Sequence, residues 1–126
     1  MKYSILFFLT FILGCIQKED KTTIKIISVD VGITTIISIK CNDFLDSFDS
    51  SEFKIKHLDK STIDDVREEL EGLKQEEDKR DSDTRAIIIV KDGIAIDTLC
   101  ADRFTIKYRD KFYSMTDNLL KIIWTE

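Results

Sequence analysis

Apolar residues along the chain follow two rhythms, one of period two and one close to the helical repeat, and the two occupy separate stretches. Residues 22–31 and 33–41 are rich in Ile, Val and Thr and are parted at Gly32, which predicts two strands joined as a hairpin. In the second, Ile33, Thr35, Ile37 and Ile39 share one side, with Thr34, Ile36, Ser38 and Lys40 on the other. The first lacks clean alternation, so it implies a bulge or burial on both faces. Residues 42–48 suit a single helical turn that brings Phe44, Leu45 and Phe48 to the core, and residues 53–58 suit a short strand.

The clearest helix spans residues 60–79. Ser61 with Asp64 resembles a capping box, and Ile63, Val66, Leu70 and Leu73 form one narrow stripe that suits packing on a sheet. From Thr84 the pattern returns to strands. Residues 86–90 (AIIIV) read as a central strand buried on both faces, and Asp92-Gly93 predicts a type I′ turn into residues 94–100. Phe104, Ile106 and Tyr108 alternate with Thr105 and Lys107. Arg109-Asp110 turns the chain into residues 111–113, and Ser114 with Asp117 starts a terminal helix bearing Leu119, Leu120 and Ile123. Strands and helices in separate blocks predict an α+β fold: a mainly antiparallel sheet of about five to seven strands, packed by a long helix over residues 61–79 and a short C-terminal helix.

The first 21 residues carry a different kind of signal. Lys2 precedes an apolar run over residues 5–13, about half of the ~20 residues a spanning helix needs and the right length for a secretion signal. The run ends in Ile12-Leu13-Gly14-Cys15, which resembles the lipobox of bacterial lipoproteins, with Ile12 where that family most often has Leu. The resemblance implies cleavage between Gly14 and Cys15, diacylation of the Cys15 thiol by palmitate-like chains, and attachment to a membrane through that lipid. It covers about 15 residues and implies nothing about the fold that follows. The residues alone also fit an ordinary signal peptide, or a core element that happens to end in Gly-Cys. After Cys15, the polar residues up to Lys21 suit a tether. Their charge resembles the surface-export signals of some Bacteroidota lipoproteins, and the absence of Asp directly after Cys15 implies outer-membrane rather than inner-membrane sorting. The expected organisation is a signal peptide over residues 1–14, a lipidated Cys15 and tether over 15–21, and a single α+β domain over 22–126.

Cysteine usage and charge narrow the remaining possibilities. With Cys15 lipidated, Cys41 and Cys100 form an even remainder in an oxidising compartment; they suit a disulfide, or two buried free thiols. Removing Lys2 with the signal takes the formal charge from −5 to −6, a balance that argues against nucleic acid. Two cysteines and the single histidine, His57, make no recognisable zinc pattern. Glu76, Glu77, Asp78, Asp81 and Asp83 have the oxygens for calcium, but not the spacing or turn glycine, and read as a solvated loop. Asp83 and Arg85 bracket the central strand as a structural ion pair. No phosphate loop, CxxC, HExxH or GxSxG motif is present, so no catalytic residue and no cofactor is expected. Two functions follow from this. One is a non-enzymatic, lipid-anchored module that binds a protein as an inhibitor, immunity-type factor or accessory subunit. The alternative is a small envelope enzyme whose site is dispersed along the chain. A concave pocket uniting His57 with acidic groups favours the enzyme; a flat acidic face favours binding.

Overall fold

A computed structural model describes residues 21–77 and 82–125. Its strands are β1 (Thr23–Ser28), β2 (Lys54–His57), β3 (Gln75–Glu76), β4 (Ala86–Asp92), β5 (Ala95–Ala101), β6 (Thr105–Tyr108) and β7 (Lys111–Ser114), with helices α1 (Lys60–Glu71) and α2 (Asp117–Trp124). The strands make one sheet in the order β2-β1-β4-β5-β6-β7-β3, with every pairing antiparallel. The α+β class, the antiparallel sheet and the short C-terminal helix are as expected.

Residues 33–41 are not a strand. Both edges of β1 are already taken, by β2 on one side and β4 on the other, so no ladder remains for a hairpin partner. Its central place also explains the missing alternation: Ile24, Ile26 and Ile27 are all buried, on both faces. β1 ends at Ser28, and the chain turns at Asp30, whose carbonyl accepts from Ile33 N (3.1 Å) and whose carboxylate accepts from Gly32 N (2.8 Å).

Helix α1 is shorter than its sequence pattern. Gly72 closes it, and Gln75–Glu76 continues as an edge strand on β7. Leu73 therefore lies outside the helix, yet packs on the same core as Ile63, Val66 and Leu70. The N-cap is Asp59, accepting from Thr62 N at 2.8 Å, and not Ser61. Likewise Thr116 caps α2 by accepting from Leu119 N at 3.2 Å, while Ser114 belongs to β7. Leu119 and Ile123 are buried and Leu120 half-buried.

The first tight hairpin differs from expectation in its turn type, and the turn expected at Arg109-Asp110 is present. At Gly93-Ile94 only Gly93 has positive φ (63°), the signature of a type II′ turn. At Arg109-Asp110 both φ values are positive (48° and 62°), so the type I′ geometry sits there, between paired Tyr108 and Lys111. Phe104 lies before β6 and is exposed, whereas Thr105 and Ile106 are both buried. Asp102 makes that possible: its carboxylate accepts from Thr105 N (2.7 Å) and Thr105 Oγ1 (3.0 Å).

Two cores result, one on each face of the sheet. α1 and α2 cover the first, over Ile24, Ile26, Ile88, Leu99 and Ile106. The second lies over Ile27, Ile87 and Cys100, and its cover is the irregular segment 29–53.

Candidate functional site

Residues 29–53 leave the end of β1 and return at β2. A connection of this length with little regular structure of its own is uncommon in a compact domain, and such loops are usually functional. This one is held at many points. Val29 N donates to Arg85 O (3.0 Å), and the Trp124 indole N–H donates to Val29 O (2.9 Å). Ile39 is fixed from both sides: its N–H donates to Asp83 Oδ1 (2.8 Å), and its carbonyl accepts from Thr84 N (2.8 Å). Cys41 and Cys100 lie at disulfide distance with their Cα atoms 5.7 Å apart, within the range a bridge requires. A 3₁₀ helix over Cys41–Asp46 buries Phe44 completely, in edge-to-face contact with Phe48 and Phe53 at centroid separations of 5.6 and 5.5 Å. Leu45 does not join them and is exposed, contrary to the expected inward-facing trio.

Arg85 is the centre of this bracing. Its buried guanidinium donates to both oxygens of Asp83 (2.8 and 2.6 Å), to Ile33 O (3.2 Å), to Thr35 Oγ1 (3.0 Å) and to Thr84 O (3.1 Å). It also lies 5.8 Å from the Phe48 ring centroid. The Asp83–Arg85 pair is thus present, and it ties β4 to the loop. The neighbouring Thr84 hydroxyl is buried without a hydrogen-bond partner.

At its tip this framework presents apolar side chains outward, while Asp30, Asp43, Asp46, Asp49 and Glu52 are exposed elsewhere along it. Ile36 is 105% exposed and Ile37 72%, side by side, with the Thr35 hydroxyl donating to Ile37 O (2.7 Å) to hold the turn between them. Beside Ile37 runs a groove of about 570 Å³, bounded also by Lys40, Asn42, Lys107 and Phe112, with no carboxylate among its described lining residues. Lys107 Nζ lies 5.7 Å from the Phe112 ring and 3.9 Å from an exposed carboxylate oxygen of Asp110. On a chain of formal charge −5, a groove walled by two lysines is a local exception.

His57 is elsewhere. It ends β2 opposite Lys25, exposed, on the sheet face away from α1. Acidic groups do converge in another concavity, of about 450 Å³, on the helix-covered face, where Glu71 and Asp97 line a cleft with Arg67, Tyr108 and Tyr113. His57 is not among its lining residues, and Arg67 donates to the Thr22 hydroxyl at 3.3 Å. Burial, followed by a hydrogen bond to Asp97, raises the Tyr108 phenol above the ordinary tyrosine range, and Arg109 Nη2 reaches Asp97 at 3.4 Å. Of the acidic stretch, Glu76 accepts from Ser114 Oγ (2.7 Å) and Asp83 is bound to Arg85, while Asp78 and Asp81 lie outside the described residues. Among the described residues there is no group of three or more His, Cys, Asp or Glu suited to a metal, and no helix long and apolar enough to cross a membrane. Gly14 and Cys15 also lie outside the described residues. Comparison with protein-family models, curated proteins and solved structures finds no match.

Proposed function

We propose that this chain is a lipid-anchored envelope protein, attached through Cys15, that acts by binding a protein partner with the loop 29–53 rather than by catalysis. The observation that carries the reading is the pairing of two adjacent, exposed isoleucines with a loop braced on all sides. Exposed aliphatic side chains on a mobile loop lose conformational freedom on binding; on a prearranged loop that cost is already met. Lys40 and Lys107 beside them suit an acidic partner surface with an apolar recess for Ile36 and Ile37, the arrangement of an apolar contact with a polar rim. Export into an oxidising compartment closes the Cys41–Cys100 bridge and sets the loop before the partner is met. Inhibitor, immunity-type factor and accessory subunit are all roles of this kind.

Burying one isoleucine contributes about 1.5–3 kcal/mol, so Ile36→Ser with Ile37→Ser should weaken the complex on the order of 100-fold or more. The test is cross-linking in the native envelope, identification of the partner by mass spectrometry, and affinity measurement with wild type and the double variant. Lys40→Glu with Lys107→Glu should weaken binding further and remove its salt dependence. Undiminished binding by the isoleucine variant refutes the loop as the site. The anchor is tested separately: Cys15→Ala should abolish incorporation of a palmitate analogue and retention in the membrane. Equal labelling of variant and wild type refutes it.

A further inference from the structure

Two groups of exposed aliphatic residues lie at opposite ends of the sheet. One is the loop tip. The other is the β4–β5 turn, where Ile94 is 103% exposed and Ile96 61%. The second has no evident place in the binding site above, and its position relative to the start of the domain gives it a different meaning.

β1 begins beside this turn. Thr23 pairs with Lys91, and the Thr22 hydroxyl donates to Asp92 Oδ1 at 3.4 Å. The chain preceding Thr22 therefore departs from the β4–β5 end of the sheet. Six residues, 16–21, separate Cys15 from Thr22, and fully extended they reach at most about 25 Å. A lipid on Cys15 thus holds this end of the sheet within about 25 Å of the bilayer surface. The opposite end is tethered less directly: Val29 is seven residues along from Thr22, a further ~23 Å at strand rise.

From this placement, and resting on the lipid anchor proposed above, we infer that the β4–β5 turn is seated in the interface of the membrane that holds Cys15. Ile94 and Ile96 enter the boundary between headgroups and acyl chains. Lys21 and Lys91, both exposed, remain at headgroup level, the usual division between aliphatic and cationic side chains at such a surface. Gly93, with its positive φ, permits the tight turn that puts Ile94 at the extremity of the hairpin. The strands then stand away from the bilayer and present the loop 29–53 outward, where a partner can reach it.

The molecule contains its own control for this orientation. Its single tryptophan, Trp124, is hydrogen-bonded to Val29 at the far end of β1. The experiment uses the full chain expressed in a bacterial envelope, purified with its lipid, and reconstituted into vesicles of phosphatidylethanolamine and phosphatidylglycerol carrying brominated acyl chains. Intact-mass analysis first establishes whether Cys15 is acylated. Trp124 in the wild type should keep its emission relative to unbrominated vesicles. Ile94→Trp in a Trp124→Phe background should lose most of its emission, and Ile96→Trp in the same background is a second reporter should the first variant fold poorly. Acylated protein whose tryptophans at 94 and 96 are both unquenched overturns the seating and leaves the anchor standing. Quenching of Trp124 as well overturns the upright orientation. Absence of acyl mass on Cys15 overturns the anchor and the seating together.

Discussion

Replacing Arg85 by methionine keeps most of the volume of a buried side chain and removes all of its donors. Five hydrogen bonds are lost, two of them to the Asp83 carboxylate at 2.8 and 2.6 Å and two to the carbonyls of Ile33 and Thr84. Truncating one partner of a fully buried pair typically costs 3–5 kcal/mol, whereas an exposed pair is worth about 0–1 kcal/mol. Arg85 is 5% exposed at its side chain but Asp83 is 40% exposed, so water can re-solvate the abandoned carboxylate. Discounting for that screening places Arg85→Met at about 2–3 kcal/mol of lost stability. Asp83→Asn keeps an acceptor for Ile39 N and should cost less, about 1 kcal/mol. If the two side chains act as one brace, the double variant costs less than the sum, with a coupling of at least about 0.5 kcal/mol. Urea unfolding of the four proteins measures this, and amide hydrogen exchange locates it. Protection should fall first over residues 33–41, with β4 retained. A cost for Arg85→Met below about 0.5 kcal/mol, typical of a neutral surface change, or strict additivity in the double variant, refutes the brace.

The cysteine bridge should contribute about 4 kcal/mol by the chain-entropy estimate for its 59-residue separation, a large share of the ~5–15 kcal/mol typical of a domain. Cys41→Ser, or reduction of the wild type, should lower the urea midpoint accordingly; two thiols freely alkylated in the unreduced, denatured protein exclude the bridge. Asp59, hydrogen-bonded by the Thr62 side chain and then its backbone N–H, has its carboxyl held below the ordinary aspartate range. Its contribution is therefore fully present above the unfolded value and is lost as pH falls through the depressed folded one. Asp59→Asn retains an acceptor at the cap without a titrating group, so unfolding followed in acid should show a shallower acid limb than the wild type; an identical limb refutes the assignment.

Local pattern revealed most of the fold. The continuous run around Ile88 marked the central strand, the stripe from Ile63 to Leu70 marked the helix, and the Arg109-Asp110 pair marked a turn, because each depends on residues adjacent in sequence. Alternation misled at residues 33–41 because it reports which side chains could face a core, not whether a neighbouring strand has a free edge. β1 has none. Helix α1 was overextended for a related reason: the stripe continues through Leu73 although Gly72 ends the hydrogen bonding, since Leu73 reaches the same core from an extended segment. The loop as a site was legible only in fragments. Asp83 and Arg85 were visible as a pair, and Cys41 and Cys100 as a bridge, but their convergence on Ile33, Thr35 and Ile39 spans contacts more than 40 residues apart in sequence. Alternation set Ile36 apart from Ile39 but grouped Ile37 with it, whereas Ile36 and Ile37 both face solvent and only Ile39 is buried.

The position of β1 has a mechanical consequence. Its first residue adjoins the segment that leads from Cys15, and its last leads directly into the loop 29–53. A pull applied between those two points runs lengthwise along β1, parallel to its neighbours β2 and β4. The ladder bonds on both sides are then sheared together, instead of being unzipped one after another as they are when a strand is peeled from a sheet edge. The Cys41–Cys100 contact diverts part of the same force from the loop into β5, two strands away. With the anchor proposed above, the loaded ladders of β2-β1-β4 lie along the line of tension between Cys15 and the loop, and the far edge strand β3 lies outside it.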